Sequence, residues 1–215
     1  MALALFDLDN TLLNGDSDHA WGLYLAEIGA VDQRAQQKKQ DYFYQQYVEG
    51  TLNIIEFLNF QLSPLKDNPI ELLLQWREGF LKTIIQTMID TGKPELIDKH
   101  RTQKDELVII TATNDFITRP IADKLNISTL IATQAEIVAK QYTGKVTGTP
   151  CFQHGKVTRL QEWMNDKSCS LNDSWFYSDS INDLPLLSLV SNPVAVTPDD
   201  KLRTHAKKYD WPIID

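Results

Sequence analysis

The stretch ALALFDLDNTLL, residues 2–13, decides the fold of this chain. Its first part, residues 2–6, is a short uninterrupted apolar run that ends directly before Asp7. Such a run is typical of a buried strand in a parallel sheet. Because side chains alternate along a strand, Asp7 and Asp9 point toward the same side of it. The stretch therefore predicts a strand that brings two carboxylates to one edge of a sheet.

Three later segments repeat this pattern of an apolar run followed at once by polar residues. They are residues 107–110 before Thr111, residues 175–177 before Ser178 and residues 193–196 before Thr197. Helical patterns lie between them, at residues 115–125, 155–166 and 182–190. This alternation indicates an α/β fold with a doubly wound parallel sheet, in which ligands bind at the carboxyl ends of the strands. A smaller segment, residues 134–148 with Gly144, predicts a hairpin.

Residues 16–103 interrupt the alternation because their pattern is helical throughout. From Ile70 to Met88, for example, apolar residues recur at spacings of three and four, as on one face of a helix. The sequence thus predicts a helical cap at 16–103, inserted after the first strand. Residues 1–15 and 104–215 are then the two parts of one α/β core domain.

Composition excludes several classes of partner. The chain has 21 Lys and Arg against 29 Asp and Glu, a formal net charge of −8, which argues against nucleic acid or an anionic membrane surface. No stretch approaches the ~20 apolar residues of a membrane span, and we expect a cytoplasmic protein.

Cys151 and Cys169 fit no metal-binding spacing and are expected to be reduced. His100 lies in a polar stretch and is expected to be exposed. The oligomeric state is left open.

Five residues near the predicted strand ends form a set with a chemical meaning. They are Asp7, Asp9, Thr111, Lys156 and Asp179. A carboxylate that attacks phosphorus needs neighbouring cations to offset the charge of the phosphate, and it needs a second acid to protonate the leaving alkoxide. A lysine supplies one such cation, and the aspartates are the hard oxygen ligands that Mg²⁺ prefers. The set therefore indicates phosphoryl chemistry on an aspartate.

With these residues in this order, the chain resembles the haloacid dehalogenase (HAD) superfamily of phosphatases. The most specific segments are FDLDNTLL at residues 6–13 and DSINDLPLL at residues 179–187. Within the superfamily, the chain is similar to the subfamily IB branch that contains phosphoserine phosphatase, whose helical cap also follows the first strand. The resemblance implies a Rossmann-like core, a Mg²⁺ cofactor and a small phosphorylated metabolite as substrate.

The resemblance also implies a role for each site residue. Asp7 attacks phosphorus and forms an aspartyl-phosphate, and Asp9 protonates the leaving group and then activates water. The phosphate is bound by Thr111, Ala112, Lys156 and Asn182. The metal is bound by the carboxylates of Asp7 and Asp179 and by the backbone carbonyl of Asp9, and Asp183 supports these ligands. Two departures from the family pattern, at residues 111–114 and 178–180, place side chains where phosphoserine phosphatases usually have glycine, so the pocket should be shaped differently.

The family resemblance also guides the choice of substrate. Asp16 matches the acidic residue that binds the substrate ammonium, although an N-cap of the following helix explains it equally well. Aligning the cap motif at residues 49–53 places Asn59 where the family has an arginine for the substrate carboxylate. A substrate with an amine and no carboxylate fits better, and histidinol phosphate is favoured over phosphoserine. Phosphohomoserine-like substrates and a broad house-cleaning role stay open.

Three other classes of protein fit the sequence less well. A receiver-type signalling module also phosphorylates an aspartate, but its acidic pair is adjacent and it has no large helical insertion. A non-catalytic binding protein on a phosphatase fold would not need every catalytic position filled, as it is here. A Rossmann oxidoreductase would show G-x-G-x-x-G after the first strand, and this chain does not. The phosphatase is the favoured interpretation.

Overall fold

The computed structural model of the chain describes residues 2–165, 167 and 169–215. The predicted segments that include residues 1, 166 and 168 therefore lie partly outside the described residues. The strands are β1 (Leu3–Phe6), β2 (Glu106–Asn114), β3 (Thr129–Val138), β4 (Gln141–Thr147), β5 (Trp175–Ser178), β6 (Asn192–Val196) and β7 (Ile213–Ile214). Within the described ranges they form one sheet in the order β4-β3-β2-β1-β5-β6-β7.

Helices connect and cover these strands. Before β2 they are α1 (Ser17–Glu27), α2 (Gln33–Glu49), α3 (Ile54–Asp67), α4 (Ile70–Phe80), a π-helical turn (Leu81–Ile85), α5 (Gln86–Asp90) and α6 (Glu95–Gln103). After β2 they are α7 (Asp115–Lys124), α8 (His154–Asn165), a 3₁₀ turn (Ile181–Asp183), α9 (Leu184–Leu187) and α10 (Asp200–Lys208). None of the helices in the described parts of the chain is long and apolar enough to cross a membrane.

The predicted α/β fold with a doubly wound parallel sheet is confirmed. Strand β1 lies at the centre, parallel to β2 on one side and to β5 on the other. All four of its residues are buried, because helices cover both faces of the sheet. Strands β3, β6 and β7 continue the parallel arrangement, and only β4 runs antiparallel. The carboxyl ends of β1, β2 and β5 therefore meet at one edge.

The hairpin of β3 and β4 exists, but its turn is not at Gly144. The turn is formed by Ala139 and Lys140, whose φ angles of 50° and 65° are those of a tight hairpin turn. Gly144 lies inside β4, where a Cβ atom would come within 3.1 Å of Cβ of Lys66 on α3. The glycine allows helix and strand to approach closely. Strands β3 and β7 were also not predicted as parts of the sheet.

The helices before β2 share a hydrophobic core with the sheet. On one sheet face, Phe6 and Ile109 belong to the same buried cluster as Trp21 and Phe80. A second cluster fills the opposite face. Helix α6 packs on β2, although it precedes the predicted boundary at residue 103. The division into core and cap domains stays a prediction.

The expected exposure of His100 is wrong, because its side chain on α6 is fully buried. One ring nitrogen, Nδ1, lies 2.8 Å from Oδ2 of Asp105, and the other, Nε2, lies 2.8 Å from the Tyr177 hydroxyl. Burial lowers the pKa of His100, so the ring is neutral. It therefore donates to Asp105 and accepts from Tyr177. This chain of hydrogen bonds joins α6 to β5 beneath β1.

Replacing this histidine should cost much of the stability of the fold. His100→Ala leaves a cavity and removes a partner from two polar groups, and we expect a loss of about 2–4 kcal/mol in the free energy of unfolding. Urea denaturation measures it. His154→Ala, at an exposed position on α8, is the control and should change stability by less than about 0.5 kcal/mol. Equal effects of the two variants would contradict a structural role for His100.

Candidate active site

Asp7 stands directly after β1, at the edge where the central strands end. Its backbone N–H donates to the carbonyl of Tyr177, 2.9 Å away, and this continues the pairing of β1 with β5. Its Oδ1 accepts a hydrogen bond of 2.7 Å from Nζ of Lys156. The same nitrogen donates to Oδ2 of Asp183 at 2.7 Å. Both side chains of the Asp7–Lys156 pair are at least nine-tenths buried, so the carboxylate is fixed in place.

The charges at this edge do not balance. The pKa of Asp7 is raised to about 7, chiefly by burial and also by the charges of Asp183 and Asp9, against the lowering effect of Lys156. Burial, together with Asp7 and Asp183, also raises the pKa of Asp179 well above its usual range. For Lys156, burial favours a lower pKa, but the charges of Asp183 and Asp7 outweigh it and raise the pKa. One lysine thus faces three carboxylates, and the edge attracts a further cation.

Asp9 follows Asp7 by two residues, and its side chain is half-buried. Its Oδ1 accepts a hydrogen bond of 2.7 Å from the backbone N–H of Ser17, and its Oδ2 accepts one of 2.8 Å from the hydroxyl of Thr113. Desolvation and the charge of Asp16 together raise the pKa of Asp9 to about 6, against the lowering effect of the hydrogen bonds from Ser17 and Thr113. A carboxyl with a pKa near neutrality suits both proton donation and proton acceptance.

Thr111 lies at the corresponding edge position of β2. The pairing of β2 with β3 shifts register between Thr111 and Asn114, and this irregularity brings Thr113 to Asp9. Oγ1 of Thr111 accepts a bond of 3.2 Å from the backbone N–H of Thr113, which leaves its own hydroxyl proton free to donate. Ala112 lies between these two threonines. The structure therefore brings the predicted phosphate-binding end of β2 next to Asp9.

The loop after β5 carries the remaining predicted residues. Asp183 is buried and accepts from the Ser178 hydroxyl as well as from Lys156, both at 2.7 Å. Asn182 accepts a bond of 2.9 Å from Nε2 of Gln153. Thr11 donates to Oδ1 of Asp179 at 3.4 Å. The serine at position 178, where the family usually has glycine, therefore serves to position Asp183.

Ser180, the second serine of this loop, contacts the helical segment. Its Oγ lies 2.7 Å from the hydroxyl of Tyr47 on α2. Next to Tyr47, the carbonyl of Val48 accepts a bond of 2.7 Å from Nζ of Lys201 on α10. These two contacts hold the end of α2 over the catalytic edge. Tyr47 was missed at the sequence level, since its partner is 133 residues away.

The two predicted substrate-binding residues differ in where they lie. Asp16 is exposed and caps α1, accepting bonds of 2.9 Å from the backbone N–H groups of Asp18 and His19, and its charge acts on the neighbouring Asp9, so substrate binding by Asp16 stays a prediction beside its capping role. Asn59 is exposed on α3. Residues two apart on a helix face nearly opposite directions, and it is Gln61 that is buried and reaches α1. The structure does not bring Asn59 to the other site residues.

The donor atoms at this edge suit a hard cation. The carboxylates of Asp7 and Asp179 and the carbonyl of Asp9 are oxygen ligands of the kind that Mg²⁺ takes, and the surplus negative charge would be offset by it. Within the described ranges, no three His, Cys, Asp or Glu side chains converge on one point. A site of two carboxylates and one backbone carbonyl needs no such group. The residues present therefore fit the ion.

A sheet edge with a buried aspartate–lysine pair beside a second aspartate fits a hydrolase of phosphate esters. The model of the haloacid dehalogenase-like hydrolase family matches residues 4–188, and the chain belongs to this family. It is a phosphatase, a phosphoric monoester hydrolase, and hydrolases of this family generally use Mg²⁺.

Known proteins resemble the chain over its whole length. A histidinol-phosphatase of Neisseria meningitidis serogroup C (strain 8013) is 42% identical over 99% of this chain and 98% of its own. The crystal structure of a protein with unknown function from Bordetella pertussis Tohama I has a TM-score of 0.93 at 37% identity and covers 100% of this chain and 98% of its own. A substrate-bound phosphoserine phosphatase, with a TM-score of 0.73 at 20% identity and coverage of 99% and 92%, shares the fold.

The contact between Tyr47 and Ser180 should matter for activity. Tyr47→Phe removes the hydrogen bond between the two hydroxyls, and Ser180→Ala removes it together with the bond of 3.2 Å that Oγ of Ser180 accepts from the backbone N–H of Asn182. We expect each variant to lower kcat/KM about 3- to 10-fold. Because both variants break the same contact, the double variant should lose little more than either single one. Tyr44→Phe is the control on the same helix, since Tyr44 is 69% exposed. Losses that simply multiply in the double variant would show that the two hydroxyls act separately.

Proposed function

We propose that the chain is a magnesium-dependent histidinol-phosphate phosphatase that works through an aspartyl-phosphate on Asp7. The observation that carries this proposal is the pairing of Asp7 with Lys156 beside Asp9. Lys156 engages Oδ1 of Asp7, so Oδ2 is the oxygen that is left to attack phosphorus. The similarity to the histidinol-phosphatase of Neisseria meningitidis over nearly the whole chain supports the choice of substrate.

In the first half of the reaction, Oδ2 of Asp7 forms a bond to phosphorus while the bond from phosphorus to the ester oxygen breaks. Asp9 gives its proton to that oxygen, and the alcohol leaves. The Lys156 ammonium and the Thr111 hydroxyl donate hydrogen bonds to the phosphoryl oxygens, with Ala112 and Asn182 beside them. When bound, Mg²⁺ would neutralise charge between the carboxylate and the phosphate.

In the second half, Asp9 has become a carboxylate and accepts a proton from water. The water oxygen bonds to phosphorus, the bond from phosphorus to Asp7 breaks, and inorganic phosphate is released. The hydrogen bonds from Ser17 and Thr113 hold the Asp9 carboxylate in one orientation through both steps. Its pKa of about 6 makes both protonation states accessible near neutral pH.

Asp7, Asp179 and the carbonyl of Asp9 would hold the ion, and Asp183 would fix Lys156 beside it.

The absence of a suitable arginine favours a substrate without a carboxylate. Of the three arginines in the predicted cap, Arg34 is exposed, Arg77 donates to the carbonyl of Phe116, and Arg101 donates to Asp98 and to the carbonyl of Leu125. Phosphoserine is the second candidate, because phosphoserine phosphatases share the fold.

Phosphate release from histidinol phosphate, phosphoserine and a panel of sugar and nucleotide monophosphates tests the proposal. We expect histidinol phosphate to have the highest kcat/KM, and EDTA or Asp7→Asn to lower turnover at least about 1,000-fold. Asp32→Asn, an exposed cap of α2, is the matched control. A higher kcat/KM for phosphoserine would overturn the choice of substrate. Turnover that survives both EDTA and Asp7→Asn would overturn the mechanism.

The effect of magnesium on stability should depend on pH. In the metal-free protein, Asp7 has a folded-state pKa of about 7 against an ordinary value of 3.8. Its burial therefore costs no stability below about pH 4, and the cost grows as the pH rises toward about 7. Magnesium binds the deprotonated carboxylate, so the gain in Tm on adding it should be larger at about pH 8 than at about pH 5.5.

Thermal denaturation with magnesium or EDTA at both pH values measures this difference. Asp7→Asn should reduce the pH dependence of the gain, since only one of the two titrating ligands, Asp179, is left. An equal gain in Tm at both pH values in the unmodified protein would contradict the assignment of Asp7 as a ligand.

A further inference from the structure

A cavity of about 320 Å³ lies beside β3 and β4, and the proposed reaction does not use it. The charged residues that border it are Arg77 on α4, Asp115 and Arg119 on α7, and Arg159 on α8. Its volume is in the range of sites that bind small molecules. None of the residues assigned to the catalytic edge is among the described residues that line it. The cavity is therefore a second, separate candidate for a binding site.

The charge around this cavity is opposite in sign to that of the whole chain. Three guanidinium groups and one carboxylate border it, a local surplus of positive charge, whereas the chain has a formal net charge of −8. None of the ion pairs among the described residues includes Arg77 or Asp115. The Asp115 carboxylate accepts a bond of 3.0 Å from the backbone N–H of Ala135 instead. The cavity thus attracts an anion although the protein as a whole is acidic.

Arg77 has donors to spare. Its side chain is half-buried, and its one hydrogen bond to a described residue runs from Nη1 to the carbonyl of Phe116, at 2.8 Å. The guanidinium lies over the Phe116 ring, 4.6 Å from the ring centre, and this stacking fixes its orientation. Burial lowers the pKa of Arg77, as expected for a cation without a nearby carboxylate. Its Nε and Nη2 groups keep N–H donors for a ligand.

Arg159 is the second guanidinium with free donors. Its side chain is only 13% exposed, and its Nη1 donates to the carbonyl of Thr149 at 3.2 Å. Its Nε lies 3.6 Å from a carboxylate oxygen of the exposed Glu162, too far for a hydrogen bond. Arg119 differs, because each of its three nitrogens already donates to a described residue. Arg119 therefore contributes charge, and Arg77 and Arg159 contribute donors.

The two donor arginines belong to helices on opposite faces of the sheet. Helix α4 carries Leu73, which is part of the hydrophobic cluster on one face, and α8 carries Leu160, which is part of the cluster on the other. Arg77 and Arg159 are therefore two separate anchor points in one cavity. Apolar side chains form part of the remaining wall, namely those of Leu130, Ala132 and Ile137.

We propose that this cavity binds a small dicarboxylate, with one carboxylate on Arg77 and the other on Arg159. A guanidinium binds the planar carboxylate through two parallel hydrogen bonds. The two negative charges offset the local positive surplus, and the short carbon chain between them lies against the apolar wall. A single tetrahedral anion would occupy only one of the two anchors. The site is independent of the proposed function, because no residue of the catalytic edge takes part in it.

Isothermal titration calorimetry of the magnesium-bound enzyme tests the proposal. The probes are succinate, glutarate and adipate, with butyrate and inorganic phosphate for comparison. We expect at least one dicarboxylate to bind one-to-one with a Kd of about 1 mM or lower, and butyrate to bind at least about 10-fold more weakly. Arg77→Gln and Arg159→Gln should each weaken dicarboxylate binding at least about 10-fold.

Three control variants separate this site from effects of net charge, folding and the catalytic edge. Arg34→Gln removes the same charge from an exposed position on α2 and should change the Kd by less than about 2-fold. Gln134→Tyr should fold, since Gln134 is exposed on β3 and strands favour aromatic residues, and it should block the cavity. Asp7→Asn should keep the Kd within about 2-fold, because Asp7 does not border the cavity.

Several outcomes would overturn the inference. One is the absence of binding by all three dicarboxylates up to about 20 mM, and another is equal weakening in Arg34→Gln and Arg77→Gln. Loss of binding in Asp7→Asn would place the anion at the catalytic edge instead. If inorganic phosphate binds more tightly than every dicarboxylate, and Arg77→Gln and Arg159→Gln abolish its binding, the cavity takes a single tetrahedral anion and the assignment of a dicarboxylate is wrong.

Discussion

Lys156 makes two buried ion pairs, with Asp7 and with Asp183, and the active edge of the sheet depends on them. Each pair joins a different part of the chain, since Asp7 follows β1, Asp183 follows β5 and Lys156 lies in the first turn of α8. Taking three charges out of water is expensive, and a single missing partner would leave a buried charge uncompensated. The strand ends must therefore come together correctly for any of the three to be tolerated. This requirement ties the fold to the geometry of the site.

The same burial gives the site its chemistry. In water, Asp7 and Asp9 would be ordinary carboxylates, but desolvation and neighbouring carboxylates raise their pKa values to about 7 and about 6. Contact with Lys156 favours the charged form of the first carboxyl, and the second is able to hold a proton. Two aspartates two residues apart thus take different roles because their surroundings differ. Ser17 and Thr113 donate hydrogen bonds to Asp9, and these bonds hold its carboxyl in one orientation.

Much of this arrangement follows from the sequence because parallel strands end at one edge. That rule alone brings Asp7, Thr111 and Asp179 together, and the apolar runs before them mark the strands. The rule has no counterpart for the helices between β1 and β2, whose packing depends on tertiary contacts. Tyr47 was therefore missed, since its partner Ser180 lies on the loop after β5, 133 residues further along the chain. The exposure of Asn59 on α3 depends in the same way on how that helix packs.

Capture of the phosphorylated enzyme tests the central claim that Asp7 is the nucleophile. Histidinol phosphate labelled on phosphorus is mixed with the magnesium-bound enzyme, the reaction is quenched in acid within milliseconds, and the labelled peptide is identified by mass spectrometry. The account predicts an acid-stable, hydroxylamine-sensitive acyl phosphate on the peptide that contains Asp7, which is absent in Asp7→Asn. A label on another residue, or rapid turnover with no labelled protein at any time point, would contradict it.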